Sequence, residues 1–197
     1  MIDYVRGTLA EKHPTHVVIE QSGIGYRVQI PLSTFGHLGD AGSEVKLLTH
    51  HHIREDTEEL YGFATTEERT LFRLLIEVSG IGPRLAQTIL SGMAAPALRD
   101  ALVAADHLAL TRIPGVGKKT AERMVLELRD KVAGLVPAGT GVGVTPGATA
   151  PDDEAVRALV TLGYNRFEAQ QAVHRIRKSG EALPLEEIIR AAIQTVR

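Results

Sequence analysis

One short stretch of this chain is written twice. Val78-Ser79-Gly80-Ile81-Gly82-Pro83-Arg84-Leu85-Ala86 returns 35 positions later as Ile113-Pro114-Gly115-Val116-Gly117-Lys118-Lys119-Thr120-Ala121. The shift sets Gly80 on Gly115, Ile81 on Val116, Gly82 on Gly117 and Ala86 on Ala121. Each copy follows an apolar helical stretch and opens another, so this part of the chain reads as helix, tight glycine hairpin, helix, twice over. Two glycines permit backbone angles that side chains forbid and let another backbone come close. The aliphatic residue between them turns inward and ties the helices together. The helix after each hairpin begins with N–H groups that have no partner inside it. Those groups and the helix dipole make a site for an anion. Arg84, Lys118 and Lys119 stand where their side chains reach the same anion. A nucleic-acid phosphate is the obvious candidate. A lone Gly-x-Gly is usually only a turn, but two copies with matched flanks favour sequence-nonspecific DNA binding over a plain helical connector. A Walker A loop is excluded, since Gly115-Val116-Gly117-Lys118-Lys119-Thr120 shares only its tail.

Charge follows the hairpins. The net charge of −2 is made of −4 over residues 1–63, +2 over residues 64–133, none over 134–151 and a balance over 152–197. The positive excess falls where phosphate contacts need it, although it is small, so contact must rest on local placement. The absence of cysteine rules out disulfides, thiolate zinc sites and a cysteine nucleophile. No apolar run nears the ~20 residues of a membrane span, and the N-terminus lacks a signal-peptide pattern. The expectation is a soluble, cytoplasmic protein that needs no membrane and no cofactor.

Before the hairpins the pattern is that of strands. Tyr4–Ala10, Thr15–Glu20, Gly25–Ile30, Glu44–His50 and Glu59–Phe63 are separated by His13-Pro14, Ser22-Gly23 and Gly39-Asp40-Ala41-Gly42. Tyr26, Val28 and Ile30 share one face. Five short strands in residues 1–63 suit a barrel of the OB type. His50-His51-His52 lie between the fourth and fifth strands. Neighbours on a strand point to opposite sides, so no metal site is expected. Glu55 and Asp56 form an acidic tip, which spacing alone reads as a solvated turn. Residues 64–133 are helical, starting at an N-cap at Thr65 or Thr66. Residues 134–151, with five glycines and three prolines, read as a flexible linker. Residues 152–197 carry three helical patterns, Asp153–Leu162, Arg166–Arg177 and Pro184–Val196. The expected class is α+β and multidomain: an OB-type barrel, a tandem helix-hairpin-helix domain, a linker and a three-helix domain that docks on a partner.

The ordered set resembles the RuvA family, the junction-recognition subunits of bacterial Holliday-junction branch-migration machines. The resemblance runs from Met1 to Arg197. It rests on Arg54-Glu55-Asp56, Leu60-Tyr61-Gly62-Phe63, Glu68-Arg69-Thr70-Leu71-Phe72, Gly80-Ile81-Gly82-Pro83, Ile89-Leu90-Ser91-Gly92-Met93, Pro114–Arg123 and Ala158–Tyr164. It implies a non-catalytic subunit that holds a four-way junction open and flat in DNA recombination, repair and the SOS response to DNA damage. It further implies a homotetramer, or an octamer on DNA. Residues 152–197 would bind the RuvB ATPase, with the RuvC resolvase a candidate member of the same complex. The DNA-contacting candidates are Ser79, Gly80, Ile81, Gly82, Arg84, Gly115, Val116, Gly117, Lys118, Lys119, Thr120 and Arg123. Glu55 and Asp56 look like the family's acidic pin at the crossover. Leu159, Leu162, Gly163 and Tyr164 are the partner-binding candidates, with core packing the commoner role for such residues. His50-His51-His52 and the linker depart from the family pattern.

The main alternative is a helix-hairpin-helix DNA glycosylase. That enzyme needs a hairpin lysine paired with a downstream aspartate, for which only Asp130 is near, and a base pocket in a larger helical fold. A helical scaffold with no DNA role is the third reading, disfavoured by the duplication.

Overall fold

The computed structural model describes residues 1–134, 151–178 and 184–195. The linker expected over 134–151 lies, apart from its two end residues, outside the described residues. The chain divides into two compact units, Met1–Thr140 and Gly141–Arg197.

In the first unit, β1 (Tyr4–Lys12), β2 (His16–Gln21), β3 (Ile24–Gln29), β4 (Glu44–Ile53) and β5 (Glu58–Phe63) close into a barrel in the order β1-β2-β3-β5-β4. β3 pairs with β5 in parallel, and the other ladders are antiparallel. β1 serves two partners, β4 through Tyr4–Thr8 and β2 through Thr8–Lys12. A register shift between Leu9 and Glu11 accompanies the change of partner, as a bulge bends a strand. Alternation fills the interior with Val5, Leu9, Val17, Ile19, Val28, Ile30 and Leu47. This is the expected OB-type barrel.

Two details differ from the expectation. β4 continues past His50, the expected end of the fourth strand, through His51 and His52, and the three histidines pair with Tyr61, Leu60 and Glu59. The ladder runs this far because the turn is tight: the Arg54 N–H donates to Thr57 O at 2.8 Å. A short helix, α1 (Leu32–His37), follows Pro31, and its six residues are too few to show a helical period in the sequence.

The helices are α2 (Thr66–Glu77), α3 (Pro83–Gly92), α4 (Ala95–Val103), α5 (His107–Thr111) and α6 (Lys118–Ala133). Thr65 caps α2, and Glu68 completes a capping box. Glu68 is buried and also accepts from the hydroxyls of Ser33 and Thr34 on α1. The barrel and the helices share packing. Tyr61 and Phe63 of β5 belong to the helical core, with their rings about Phe72 at 5.0 and 4.9 Å. Gln87 of α3 donates to the carbonyl oxygens of Ile30 and Thr15, and Arg69 of α2 grips Asp3 at 2.8 Å. The change at residue 63 is therefore one of architecture: the helical core reaches back into β5, while the barrel interior is a cluster of its own.

In the second unit, α7 (Pro151–Thr161), α8 (Arg166–Lys178) and α9 (Leu185–Thr195) enclose Ala155, Leu159, Ala169, Ala172, Val173, Ile188 and Ala192. Among the described residues no helix is long and apolar enough to cross a membrane.

Candidate nucleic-acid interface

The repeat in the sequence is a repeat in the backbone. In the first hairpin the Ile81 N–H donates to Val78 O at 3.0 Å, and the Ala86 N–H to Gly82 O. In the second, the Val116 N–H donates to Ile113 O at 3.0 Å, and the Ala121 N–H to Gly117 O. Gly80 and Gly115 have φ of 91° and 84°, a region costly for residues with a side chain. Gly82 and Gly117 cap the following helices at φ −88°, ψ 173° and φ −86°, ψ 173°.

Those angles correct one expectation. Only the first glycine of each pair needs the conformational freedom of glycine; the second is in extended backbone open to any residue. A Cβ added at Gly82 or Gly117 would meet nothing within 4 Å in the chain. What their lack of a side chain leaves bare is the start of each helix. Neither cap residue offers a side chain to the first-turn N–H groups, so these remain available to an outside acceptor. Pro83 has no N–H, which leaves Arg84 and Leu85 as the first donors of α3; α6 presents Lys118, Lys119 and Thr120.

The side chains sort into distinct roles. Ile81 and Val116 are buried, 4% and 5% exposed. Each anchors its hairpin in the shared core and presents only backbone outward, so neither meets a ligand through its side chain. Lys118 and Lys119 are exposed, and among the described residues no ion pair engages either. Thr120 is half-buried. The Arg84 side chain is 90% exposed, with Nη2 at 3.8 Å from Glu59 Oε1. Arg123 reaches across from α6 and donates through Nη1 to Ser79 O at 3.3 Å.

Beside the first hairpin lies a cleft of about 350 Å³, bounded by His52, Arg54, Asp56, Glu59, Tyr61 and Arg84. Glu55 and Asp56 are exposed at the β4–β5 turn. Below them Arg54 Nε donates to His52 Nε2 at 2.9 Å, and His51 Nε2 meets Glu58 at 2.6 Å. His50 packs on Phe72. Burial, then the charge of Arg73, holds its imidazole below the usual range. The Tyr61 hydroxyl donates to Glu59 Oε2 at 2.8 Å. Burial first, then that bond, pushes the phenol well above its ordinary pKa, so it stays a donor. The sequence analysis reads Glu59 only as the start of a strand and Tyr61 only as part of a motif, because the pairing of Glu59 with Arg84 depends on residues meeting across the fold. Among the described residues no group of three or more His, Cys, Asp or Glu side chains is placed to hold a metal ion.

Asp130 does not approach the hairpin lysines. It lies 12 residues beyond Lys118 on one helix, about 18 Å along its axis, too far for a paired catalytic step.

In the second unit Leu159 is fully buried. Its side chain belongs to the three-helix core and presents no surface for docking. Leu162 is 60% exposed, Gly163 turns the chain at φ 97°, and Tyr164 packs partly on the core. Phe167, 66% exposed, and Val160 join Leu162 as apolar surface; the helical period of α8 reads Phe167 simply as a helix residue.

Three family models match the chain: the RuvA N terminal domain over residues 1–62, a SAM-like helix-hairpin-helix tandem over 72–130, and the RuvA C-terminal domain over 150–196. Among curated proteins, the "Holliday junction branch migration complex subunit RuvA" of Solibacter usitatus is 48% identical, over all of both chains. Its namesake in Methylococcus capsulatus is 46% identical, over 99% of this chain and 98% of that one. That of Alkalilimnicola ehrlichii is 42% identical, over 98% of each.

Proposed function

The chain belongs to the RuvA family, and from that premise we propose that its paired hairpins hold the arms of a Holliday junction by their phosphates while the RuvB motor drives branch migration. The protein is a DNA-binding subunit of the branch-migration complex and not its ATPase. The observation that carries the hairpin reading is the matched geometry of the two hairpins, each with an uncapped helix start and exposed basic side chains beside it. Phosphates carry no sequence code, so such a grip suits a ligand recognised by its shape.

The division of labour follows the chain. Residues 1–63 carry the acidic tip, 64–133 grip DNA, 134–151 tether, and 152–197 dock on RuvB through Leu162, Gly163 and Tyr164, with Phe167 beside them. The working form is a cytoplasmic homotetramer, or two tetramers face to face on the junction, with RuvC able to join. The test compares a four-way junction with linear duplex of the same sequence in a gel shift. A preference for the junction is expected, lost on all sequences alike when Lys118 and Lys119 both become Ala. The slope of log K against log salt becomes shallower by about one per contact removed. A loss confined to some sequences, at unchanged salt slope, would overturn the phosphate reading. A chain ending near Lys131 still binds junctions and no longer supports migration by the ATPase.

A further inference from the structure

Arg84 has two claimants. It is the second residue of α3, beside the open N–H groups of the first hairpin. In the free protein its guanidinium leans instead toward the barrel, 3.8 Å from Glu59. Glu59 is not a loose surface acid. Its side chain is 29% exposed, its strand pairs it with His52, and its second oxygen accepts from the buried Tyr61 hydroxyl at 2.8 Å. It stands on β5, just beyond the turn that carries Glu55 and Asp56, and it borders the cleft between that turn and Arg84.

We infer that Glu59 is a specificity-determining residue: it draws Arg84 away from phosphate, so that this contact forms only where a junction arm is seated well enough to displace it. The inference rests on the reading of Arg84 as a phosphate ligand. An exposed pair of this length is weak, which is what a displaceable partner requires. The fixed end is Glu59, oriented by Tyr61; the moving end is the long arginine side chain. A poorly seated duplex gains Arg84 only at the cost of this pair and meets the uncovered Glu59 carboxylate as well. A well-seated arm already holds the other hairpin contacts and bears the loss. The discrimination is thus a difference of affinities tuned by a repulsive element.

Glu59→Gln tests it. The amide keeps an oxygen for Tyr61 and removes the charge, and thermal melting verifies that the fold is retained. In the full-length chain, linear duplex binding is expected to tighten about threefold. Junction binding tightens less, and the salt slope of duplex binding steepens by up to about one. In an Arg84→Ala background the gain from Glu59→Gln is expected to vanish. If Arg84→Ala alone leaves junction binding intact, the phosphate reading of Arg84 fails and this inference falls with it. If Arg84→Ala weakens binding, yet Glu59→Gln gives no gain or the same gain with and without Arg84, only the role of Glu59 is overturned.

Discussion

Arg123 of α6 donates to the carbonyl oxygen of Ser79, 44 residues earlier in the chain. The helix that opens from the second hairpin therefore holds the loop of the first. At the far end of the same helix Lys131 pairs with Glu77 of α2 at 2.8 Å. Two hairpins, each proposed to offer one weak phosphate site, are thereby tied together at a fixed spacing, which suits a duplex backbone of fixed rise.

Replacing Arg123 with Ala is expected to weaken junction binding by about tenfold, a factor equivalent to ~1.4 kcal/mol, and to speed amide exchange at Gly80–Gly82. Arg123→Lys keeps the charge but loses the planar fork, so it restores the salt slope without restoring the slow exchange. Wild-type exchange and affinity in the Lys variant would reduce Arg123 to a simple surface charge.

The glycines of each pair should respond differently to alanine. At Gly80 and Gly115 the positive φ is strained for any Cβ, so each Ala variant loses about 1–2 kcal/mol of stability. Gly115→Ala must also push aside Leu85 Cδ1, 2.9 Å from the new methyl. Gly82→Ala and Gly117→Ala meet open space and leave melting nearly unchanged, while the methyl obstructs the helix start and weakens DNA binding. Equal melting losses at all four positions would show that the second glycines are structural.

Much of this was legible in the chain because it is local. A tandem repeat with Gly-x-Gly at its centre dictates two like hairpins, and Tyr26, Val28 and Ile30 dictate which side of β3 is buried. What was not legible is whatever depends on distant residues meeting. Nothing in Glu59 or Arg84 taken singly announces their pairing. Leu159 and Leu162 look alike in sequence, yet one is core and the other surface, since Leu159 lies on the face of α7 packed into the three-helix core and Leu162 falls just past the helix end. A helix start at Thr65 or Thr66 was visible; the capping box with Glu68 was not, and neither were the two hydroxyls of α1 that also donate to it, because α1 itself gave no periodic signal.

Glu68 is the point where this missed helix matters most. Its carboxylate accepts from Ser33 and Thr34 and from the N–H groups of Ala64 and Thr65, at the passage from barrel to helices. Glu68→Ala leaves buried donors unmatched and removes half of the cap, for an expected loss of about 3 kcal/mol. In a unit of this size that lowers the melting temperature by roughly 10 °C. Glu68→Gln retains one acceptor oxygen and loses about half as much. Calorimetry of the chain ending near Lys131 would isolate this transition from that of the second unit. An Ala variant melting within a degree or two of wild type would mean that the network adds little to stability.

Glu55 and Asp56 are expected to act by repulsion. They stand exposed at the end of a hairpin whose turn is closed by Arg54 and Thr57, on a barrel segment that is itself acidic. Like charges about 4 Å apart interact by ~1 kcal/mol in water and by several times that where protein displaces solvent. In the proposed tetramer, a straight duplex lying across the plate would carry unbroken phosphates over such tips. A junction opens at its centre and leaves room for them, so the penalty falls on the wrong ligand. Glu55→Gln with Asp56→Asn should therefore tighten duplex binding several-fold and change junction binding less, with the hairpin grip intact. The effect should fade as salt rises, since the tips are solvated and screened within a Debye length. This separates the tips from Glu59, whose influence runs through Arg84 and should vanish with it, whereas the gain from neutral tips should survive Arg84→Ala. Both affinities, measured at one low and one moderate ionic strength, decide the question: an unchanged ratio of junction to duplex binding would return Glu55 and Asp56 to an ordinary solvated turn.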